Sequence, residues 1–291
     1  MKEFDEGQLN FNPYTMSAHK EKPNVEFICT LPGVEKVMPV IRASEYRHTW
    51  VQKAVQDMKS NGSITKEWKE KMGEIPSNMN PVPGRPHTNM EAEDRHTAKC
   101  PALQMVMNTG WILRLHQDLK LNTIGDGADV NFTIPIQSGS PIVSKHLTHG
   151  FYPFFKNWPK DTMKRIIKIN LPWHARIPKG YKLLQTHPFL LDDFRFTTMS
   201  GVLDPHLGIA SVGTIPMWWH TTNDEEEHTI KAGTPLAQYI LIPKEEPDFT
   251  MKDMNEDKMF NKEYAMNQLL LAGTFERSYN KVREFWKKYG W

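Results

Sequence analysis

The sequence predicts a mainly β protein: an antiparallel sandwich or β-clip-like barrel with N-terminal and C-terminal helices, and so an α+β chain overall. The first observation is the stretch from Lys164 to Lys244, which consists of short β-rich runs closed by Gly, Pro, Asn or Asp. Such runs are typical of strands joined by tight turns. The second observation is a period of two, which buries one face of a strand. It is clearest where Ile167, Ile169 and Leu171 alternate with Ile166, Lys168 and Asn170.

The last strand of this stretch shows a similar alternation. In 235–243, Leu236, Ile240 and Ile242 fall on one face of the predicted strand, and Gln238 interrupts them. We therefore expect that face to be the buried one.

Further strands are predicted nearer the N-terminus. The runs 25–31 and 37–41 are strand-like and are joined by a Pro-Gly turn, and the proline inside the second run places it at the edge of a sheet. The run 111–123 alternates well, and Gly125-Asp126-Gly127 follows it as the strongest hairpin signal in the chain. Residues 129–136 return from that turn.

Helices are predicted at both ends of the chain. Apolar residues recur at helical spacing over 50–58, with Thr49 as the N-cap, and a second short helix spans 65–72. The proline-rich segment 74–99 is a long loop or linker. Near the C-terminus an amphipathic helical pair must bury its apolar side on the β body or on another subunit. Its apolar residues include Phe260, Tyr264, Leu269, Leu270, Tyr279, Phe285 and Trp286.

These elements suggest three parts. Residues 1–99 form an N-terminal arm with strands, helices and the proline-rich linker. Residues 100–244 form the β-rich body, and residues 245–291 form the C-terminal helical pair.

Composition limits the class of protein. A hydrophobic content of 39% supports a sizeable core, and a formal net charge of +2 gives no indication of a nucleic-acid partner. Two cysteines are too few for a secreted disulfide scaffold. No long apolar segment is present, and the first residues lack the apolar core of a signal peptide. We therefore expect a cytoplasmic protein with no membrane partner.

Histidines are the candidate metal ligands. A β-rich scaffold can gather them around iron or zinc, as it does in cupins and related oxygenases. The fingerprint of the facial triad, His-x-Asp/Glu followed by a distant His, is not present, and Asp204-Pro-His206 has that spacing reversed. We therefore expect no cofactor, with Fe or Zn as the alternative. The candidate ligands are His146, His149, His174, His206 and His220.

Four residues are candidates for binding a ligand: Arg176, Trp219, His220 and, through a resemblance described below, Asp204. Arg176 is the only arginine in its stretch and could anchor a carboxylate or phosphate, or pair with a structural acid. Trp218 and Trp219 precede His220, and neighbouring strand residues face opposite sides. One ring is then core and the other outward, where it could stack on a ligand beside His220. The candidate positions are therefore Trp219 and His220.

One stretch carries a family resemblance. GVLDPHLG (201–208), then Asn223-Asp224, then IKAGTPLAQYILIP (230–243) resembles the end of the β-clip enzymes that hydrolyse deoxyuridine triphosphate or deaminate deoxycytidine triphosphate. Together with CPALQMVMNTGW (100–111) and a Leu-Pro…Arg-x-Pro-x-Gly-Tyr stretch, the chain is more similar to a family of unknown function found in bacteria and marine cyanophages. The resemblance implies a β-clip-like fold and assembly through the β body, commonly as a trimer.

The resemblance also suggests a role for Asp204. It occupies the place of the carboxylate that binds the sugar and activates water in the deoxyuridine triphosphatases. The arginine that follows in that family is missing here, as is the glycine-rich phosphate-binding tail. Without convergent donors the site could not hold a triphosphate, and Asp204 before a proline is also a common turn starter.

The sequence thus favours a non-catalytic structural or binding protein, phage-encoded, that acts through oligomeric or partner contacts. We expect a homo-oligomer or a place in a larger assembly, in the host cytoplasm or the virion. The alternative is a metal-dependent oxygenase-like enzyme that uses the β body as a cup, and nucleotide hydrolysis comes last.

Overall fold

The computed structural model describes residues 23–59, 100–125, 127–133, 143–145, 156–207, 213–222, 226–251 and 284. The chain divides into two compact units. The first unit combines residues 1–46 with 107–246, and the second combines 47–106 with 247–291. The predicted boundaries at 99/100 and 244/245 stay a prediction.

The described part is mainly β, as predicted, with short helices. The helices are α1 (Val34–Val37), α2 (Thr49–Lys59) and α3 (Pro101–Asn108). The strands are β1 (Glu26–Cys29), β2 (Ile41–Arg42), β3 (Trp111–Arg114), β4 (Leu119–Ile124), β5 (Asp129–Thr133), β6 (Val143–Lys145), β7 (Ile167–Asn170), β8 (Trp173–Arg176), β9 (Tyr181–Thr186), β10 (Phe196–Thr198), β11 (Gly201–Leu203), β12 (Thr214–Trp219), β13 (His228–Ile230) and β14 (Pro235–Pro243).

The strands of the first unit form four antiparallel sheets. Their orders are β1-β8, β10-β12-β7-β6, β11-β9-β14-β3-β2 and β13-β4-β5. Each order has two free ends, so no sheet closes into a barrel within the described part of the chain. The predicted hairpin is confirmed, because β4 and β5 pair directly across the turn that begins at Gly125.

One apolar core joins all four sheets. It contains Leu121 of β4, Ile169 of β7, Trp173 of β8 and Tyr239 of β14, each at most 5% exposed. Burial of a side chain of this size stabilises a fold by about 1.5–3 kcal/mol. The alternation predicted for 165–171 is confirmed from Ile167 onward, since Ile167, Ile169 and Leu171 are buried, but Ile166, on the opposite face, is buried as well.

Two local predictions are wrong. Residues 37–41 are not one strand, because the chain forms the single helical turn α1 and β2 begins only at Ile41. Pro39 cannot donate to a ladder, and its carbonyl accepts a hydrogen bond from the Arg114 side chain instead. In β14 the expected face is not the more buried one: Pro235–Tyr239 is buried on both faces, and beyond it Leu241 is buried whereas Ile240 and Ile242 are only partly buried.

Two glycines allow backbone segments to approach closely. Gly110 has a φ of 82°, and a Cβ there would collide with the carbonyl oxygen of Tyr239. A Cβ at Gly213 would collide with the carbonyl oxygen of Leu171, whose N–H donates to the Gly213 carbonyl. A larger side chain at either position would push apart neighbouring segments of the first unit.

In the second unit, α2 confirms the helix predicted from Thr49. The predicted helix 65–72, the linker 74–99 and the C-terminal stripe from Phe260 to Trp286 lie outside the described residues. Helix α3, at the start of the predicted β body, was not expected.

Both cysteines, Cys29 and Cys100, are free. Among the described helices, none is long and apolar enough to span a membrane.

Candidate functional site

Two of the predicted ligand-binding residues already have protein partners. Arg176 ends β8 with its side chain exposed, and its guanidinium lies 3.6 Å from the carboxylate of Glu26, its partner in the β1–β8 ladder. Asp204 accepts hydrogen bonds from Lys244 Nζ at 2.6 Å and from the backbone N–H of His206 at 3.1 Å. The hydrogen bond from Lys244 lowers the pKa of the Asp204 carboxyl. The turn expected at Asp204 is present, because a short 3-10 helix follows at once.

The structure places Trp219 in the core rather than at the surface. It is fully buried, and its ring lies 5.6 Å from that of His228. The half-buried member of the pair is Trp218, which packs edge-to-face on Trp158 at 6.3 Å. The candidate position for a ligand-stacking ring therefore carries no surface-exposed ring.

The candidate metal ligands do not converge where the structure describes them. His174 and His206 are exposed, on β8 and on the 3-10 helix after β11. His146 and His149 lie outside the described residues. No group of three His, Cys, Asp or Glu side chains that could hold a metal is found among the residues that the structure describes.

His220 lies at the centre of a hydrogen-bonded bridge. Its Nδ1 is 3.0 Å from Thr162 Oγ1, and its Nε2 is 2.8 Å from Thr197 Oγ1. A neutral imidazole has one donor and one acceptor nitrogen, so one threonine hydroxyl accepts and the other donates. Burial lowers the pKa of His220, which favours this neutral form. The bridge ties the segment around Thr162 to β10 and to the end of β12.

Beside this bridge lies the loop between β9 and β10, His187–Arg195, which we call the 187–195 loop. Both ends of the loop are fixed. At its start, His187 Nδ1 accepts a hydrogen bond from the Thr198 N–H at 3.2 Å, and the Phe189 N–H donates to Gln238 Oε1 at 3.1 Å. The Gln238 amide also donates to the Thr109 carbonyl at 2.6 Å. Gln238, which interrupts the apolar pattern of β14, is therefore a buried anchor for the loop.

At the end of the loop, Asp193 and Arg195 form a two-point ion pair. Arg195 Nε and Nη2 donate to the two carboxylate oxygens of Asp193 at 2.9 and 2.7 Å. Arg195 Nη1 also donates to the Thr229 carbonyl of β13 at 2.9 Å. Burial alone would raise the pKa of Asp193, but the hydrogen bonds from Arg195 outweigh it and the pKa is lowered. Both groups are therefore held in their charged forms.

Between these two charges, Phe194 projects into solvent. Its side chain is 84% exposed, and Leu190 of the same loop is 42% exposed. Leu190 also has a φ of 56°, the only described non-glycine residue with a positive φ. That conformation costs a leucine on the order of 1–2 kcal/mol. Residues held in such conformations are typical of functional loops, where the surrounding contacts maintain them.

The second histidine of this region is His187. Burial lowers its pKa, the Asp193 carboxylate opposes that effect, and His220 adds to it. Since His187 Nδ1 accepts a hydrogen bond, its proton resides on Nε2. At neutral pH both histidines are therefore uncharged.

The bridge contains the residue types of a nucleophile and a base, but among the described residues no carboxylate lies behind the histidine. Thr197 and His220 have the geometry of a nucleophile and a base, with Thr162 as the orienting group. A hydroxyl cannot stabilise an imidazolium as the carboxylate of a catalytic triad does. The nearby carboxylate, Asp193, is held by Arg195. The His220 backbone N–H donates to the Arg195 carbonyl at 2.7 Å, so the hydroxyl–imidazole–hydroxyl bridge is joined to the end of the loop.

Sequence reasoning placed His220 in the candidate site but missed the residues around it. Asp193, Phe194 and Arg195 are adjacent in the sequence, and an aromatic residue between opposite charges is the signal that could have identified them. A comparison with known protein families finds no match, and neither does one with individually curated proteins.

Proposed function

We propose that this chain is a non-catalytic structural or binding protein that assembles with further copies of itself through the 187–195 loop. The observation that carries the proposal is Phe194, an aromatic side chain that is 84% exposed on a loop fixed at both ends. Aromatic residues, Phe among them, are enriched in protein interfaces, where a few residues carry most of the binding energy.

The contacts of the loop make it suitable for binding. The Asp193–Arg195 pair, the Arg195–Thr229 bond and the Gln238–Phe189 bond hold the backbone in place before any partner arrives. A preformed loop loses less conformational entropy on association than a flexible one. The positive φ of Leu190 is a strained conformation. Strained residues are typical of loops whose backbone is held in the conformation that binding requires.

The polar candidates support the non-catalytic half of the proposal. Asp204 is engaged by Lys244, Arg176 by Glu26, and both ring nitrogens of His220 by threonine hydroxyls. A ligand or substrate would have to displace these partners. The recipient of Phe194 is a second copy of this chain, in keeping with the assembly through the β body that the sequence resemblance implies.

Light scattering coupled to gel filtration tests the proposal on the full chain. Wild-type protein at tens of micromolar should elute as an oligomer, and Phe194→Ser should shift it to smaller species. Loss of a central aromatic contact costs an interface about 2 kcal/mol or more, which is roughly a thirtyfold weaker association.

Phe249→Ser is the matched control, since Phe249 is 81% exposed but lies in the second unit. It should leave the oligomer unchanged. A monomeric wild-type chain, or equal effects of the two substitutions, would contradict the proposal. Binding of Phe194 to a different protein would then have to be sought separately.

A further inference from the structure

A cleft in the first unit, separate from the 187–195 loop, combines aromatic rings with carboxylates. It has a volume of about 360 Å³, which lies within the range of small-molecule sites. Its lining residues are Phe27, Glu35, Pro39, Val40, Arg42, Glu45, Trp111 and Trp173.

The aromatic wall comes from three strands. Phe27 of β1 packs edge-to-face on Trp111 of β3, with ring centroids 5.7 Å apart. Trp173 of β8 also lines the cleft and is only 5% exposed. Phe27 and Trp111 are partly buried against the apolar core. The rings are thus held by the fold, and parts of their surfaces border the cleft.

The side chains that line the cleft carry more negative than positive charge. Glu35 and Glu45 contribute two negative charges, and Arg42 contributes one positive charge. Each carboxylate uses Oε2 to accept one backbone hydrogen bond, Glu35 from the Gly33 N–H at 2.8 Å and Glu45 from the Arg42 N–H at 3.3 Å. Their Oε1 atoms have no donor among the described residues. A cation in the cleft would therefore be favoured by both carboxylates.

We infer that this cleft binds a small organic cation, an alkylated ammonium compound such as choline. Aromatic faces attract such cations through their quadrupole, and the net negative lining adds to that attraction. The apolar surface of the methyl groups matches Phe27 and Trp111. The inference does not depend on the proposed self-association, since it rests on different residues.

Titration of the full chain with choline tests the inference, with tryptophan fluorescence and saturation-transfer NMR as readouts. Choline should bind saturably at millimolar concentration or below. Its uncharged isostere, in which a tert-butyl group replaces the trimethylammonium, should bind far more weakly. Equal binding of the two compounds, or no saturable binding of choline, would overturn the inference.

Variants locate the site. Trp111→Leu should weaken choline binding roughly tenfold, because an aromatic ring of the cleft wall is lost. Glu45→Gln keeps the acceptor for the Arg42 N–H, so it should fold normally and weaken binding roughly threefold. Glu26→Gln is the matched control, because Glu26 pairs with Arg176 and does not line the cleft. If Glu26→Gln weakens binding as much as Glu45→Gln, the attraction is not local and the site is not this cleft.

Discussion

The guanidinium of Arg195 and the carboxylate of Asp193 face each other across Phe194, joined by hydrogen bonds of 2.7 and 2.9 Å. The two charged residues flank the most exposed large apolar side chain of the described structure. Because Arg195 also donates to the Thr229 carbonyl of β13, the pair connects this aromatic residue to the sheet structure. The ion pair therefore fixes the position of Phe194.

The first prediction concerns this pair. Asp193→Asn keeps an acceptor for the Arg195 N–H but removes the charge that balances the partly buried guanidinium, so the free energy of unfolding should fall by about 1–2 kcal/mol. Urea unfolding measures it. Lys231→Met is the control, since it breaks the ion pair between Lys231 and Asp118. Their side chains are 73% and 43% exposed, respectively. This substitution should cost no more than about 0.5 kcal/mol. Equal costs would show that the Asp193–Arg195 pair contributes nothing beyond a surface ion pair.

The second prediction compares two glycines with nearly the same backbone. Gly110 and Gly180 have φ values of 82° and 81°. Alanine at Gly180 meets no described atom within 4 Å, whereas alanine at Gly110 would collide with the Tyr239 carbonyl oxygen. Gly180→Ala should cost about 1 kcal/mol for the backbone alone. Gly110→Ala should cost several times more, because β3 and β14 must separate. Thermal unfolding that ranks the two variants equally would show that the close approach is not required.

The third prediction concerns pH. The pKa values of His187 and His220 lie below their usual value of 6.5. As the pH falls, the unfolded chain therefore binds protons before the folded chain does. Stability from these two groups is complete above about pH 6.5 and is lost as the pH drops toward their lowered pKa values. The slope cannot exceed about 1.4 kcal/mol per pH unit for each histidine.

Urea unfolding at about pH 7.5 and about pH 5.5 measures this pH dependence. His220→Gln cannot titrate and should reduce the difference in unfolding free energy between the two pH values. His174→Gln, at an exposed position of β8, should leave that difference unchanged. A wild-type chain that is more stable at the lower pH would show that the assigned direction is incorrect.

The fourth prediction concerns metals. Protein purified without chelator should contain less than one equivalent of iron or zinc, because both ring nitrogens of His220 bind threonine hydroxyls and His174 and His206 are exposed and apart. Elemental analysis decides the matter. One equivalent of metal that is lost in His146→Ala would restore the oxygenase-like alternative.

Local patterns predicted much of the fold. The alternation in 165–171 predicted the observed strand β7. The Gly-Asp-Gly turn predicted the observed β4–β5 hairpin. Both signals arise from residues that are close together in the sequence. The order of polar and apolar side chains among those residues decides whether a strand or a turn forms. The helical turn α1 escaped prediction because four apolar and charged residues fit either a turn or a strand.

The candidate site could not be predicted in the same way, because its contacts join distant positions. Thr162 and His220 are 58 residues apart, and Phe189 and Gln238 are 49 apart. Nothing in the sequence near Gln238 shows that its side-chain amide will accept a hydrogen bond from the 187–195 loop. The two-sided burial of β14 over Pro235–Tyr239 likewise depends on what packs on each face of its sheet, which a period of two does not reveal.

The most direct test of the proposed self-association is site-specific photo-crosslinking of the full chain. A benzophenone-bearing phenylalanine analogue replaces Phe194 in one sample and Phe249, similarly exposed, in the other. After irradiation at tens of micromolar, the chain substituted at position 194 should give covalent dimers on a denaturing gel, and the chain substituted at position 249 should stay largely monomeric. Equal yields, or no covalent dimer from position 194, would contradict assembly through the 187–195 loop.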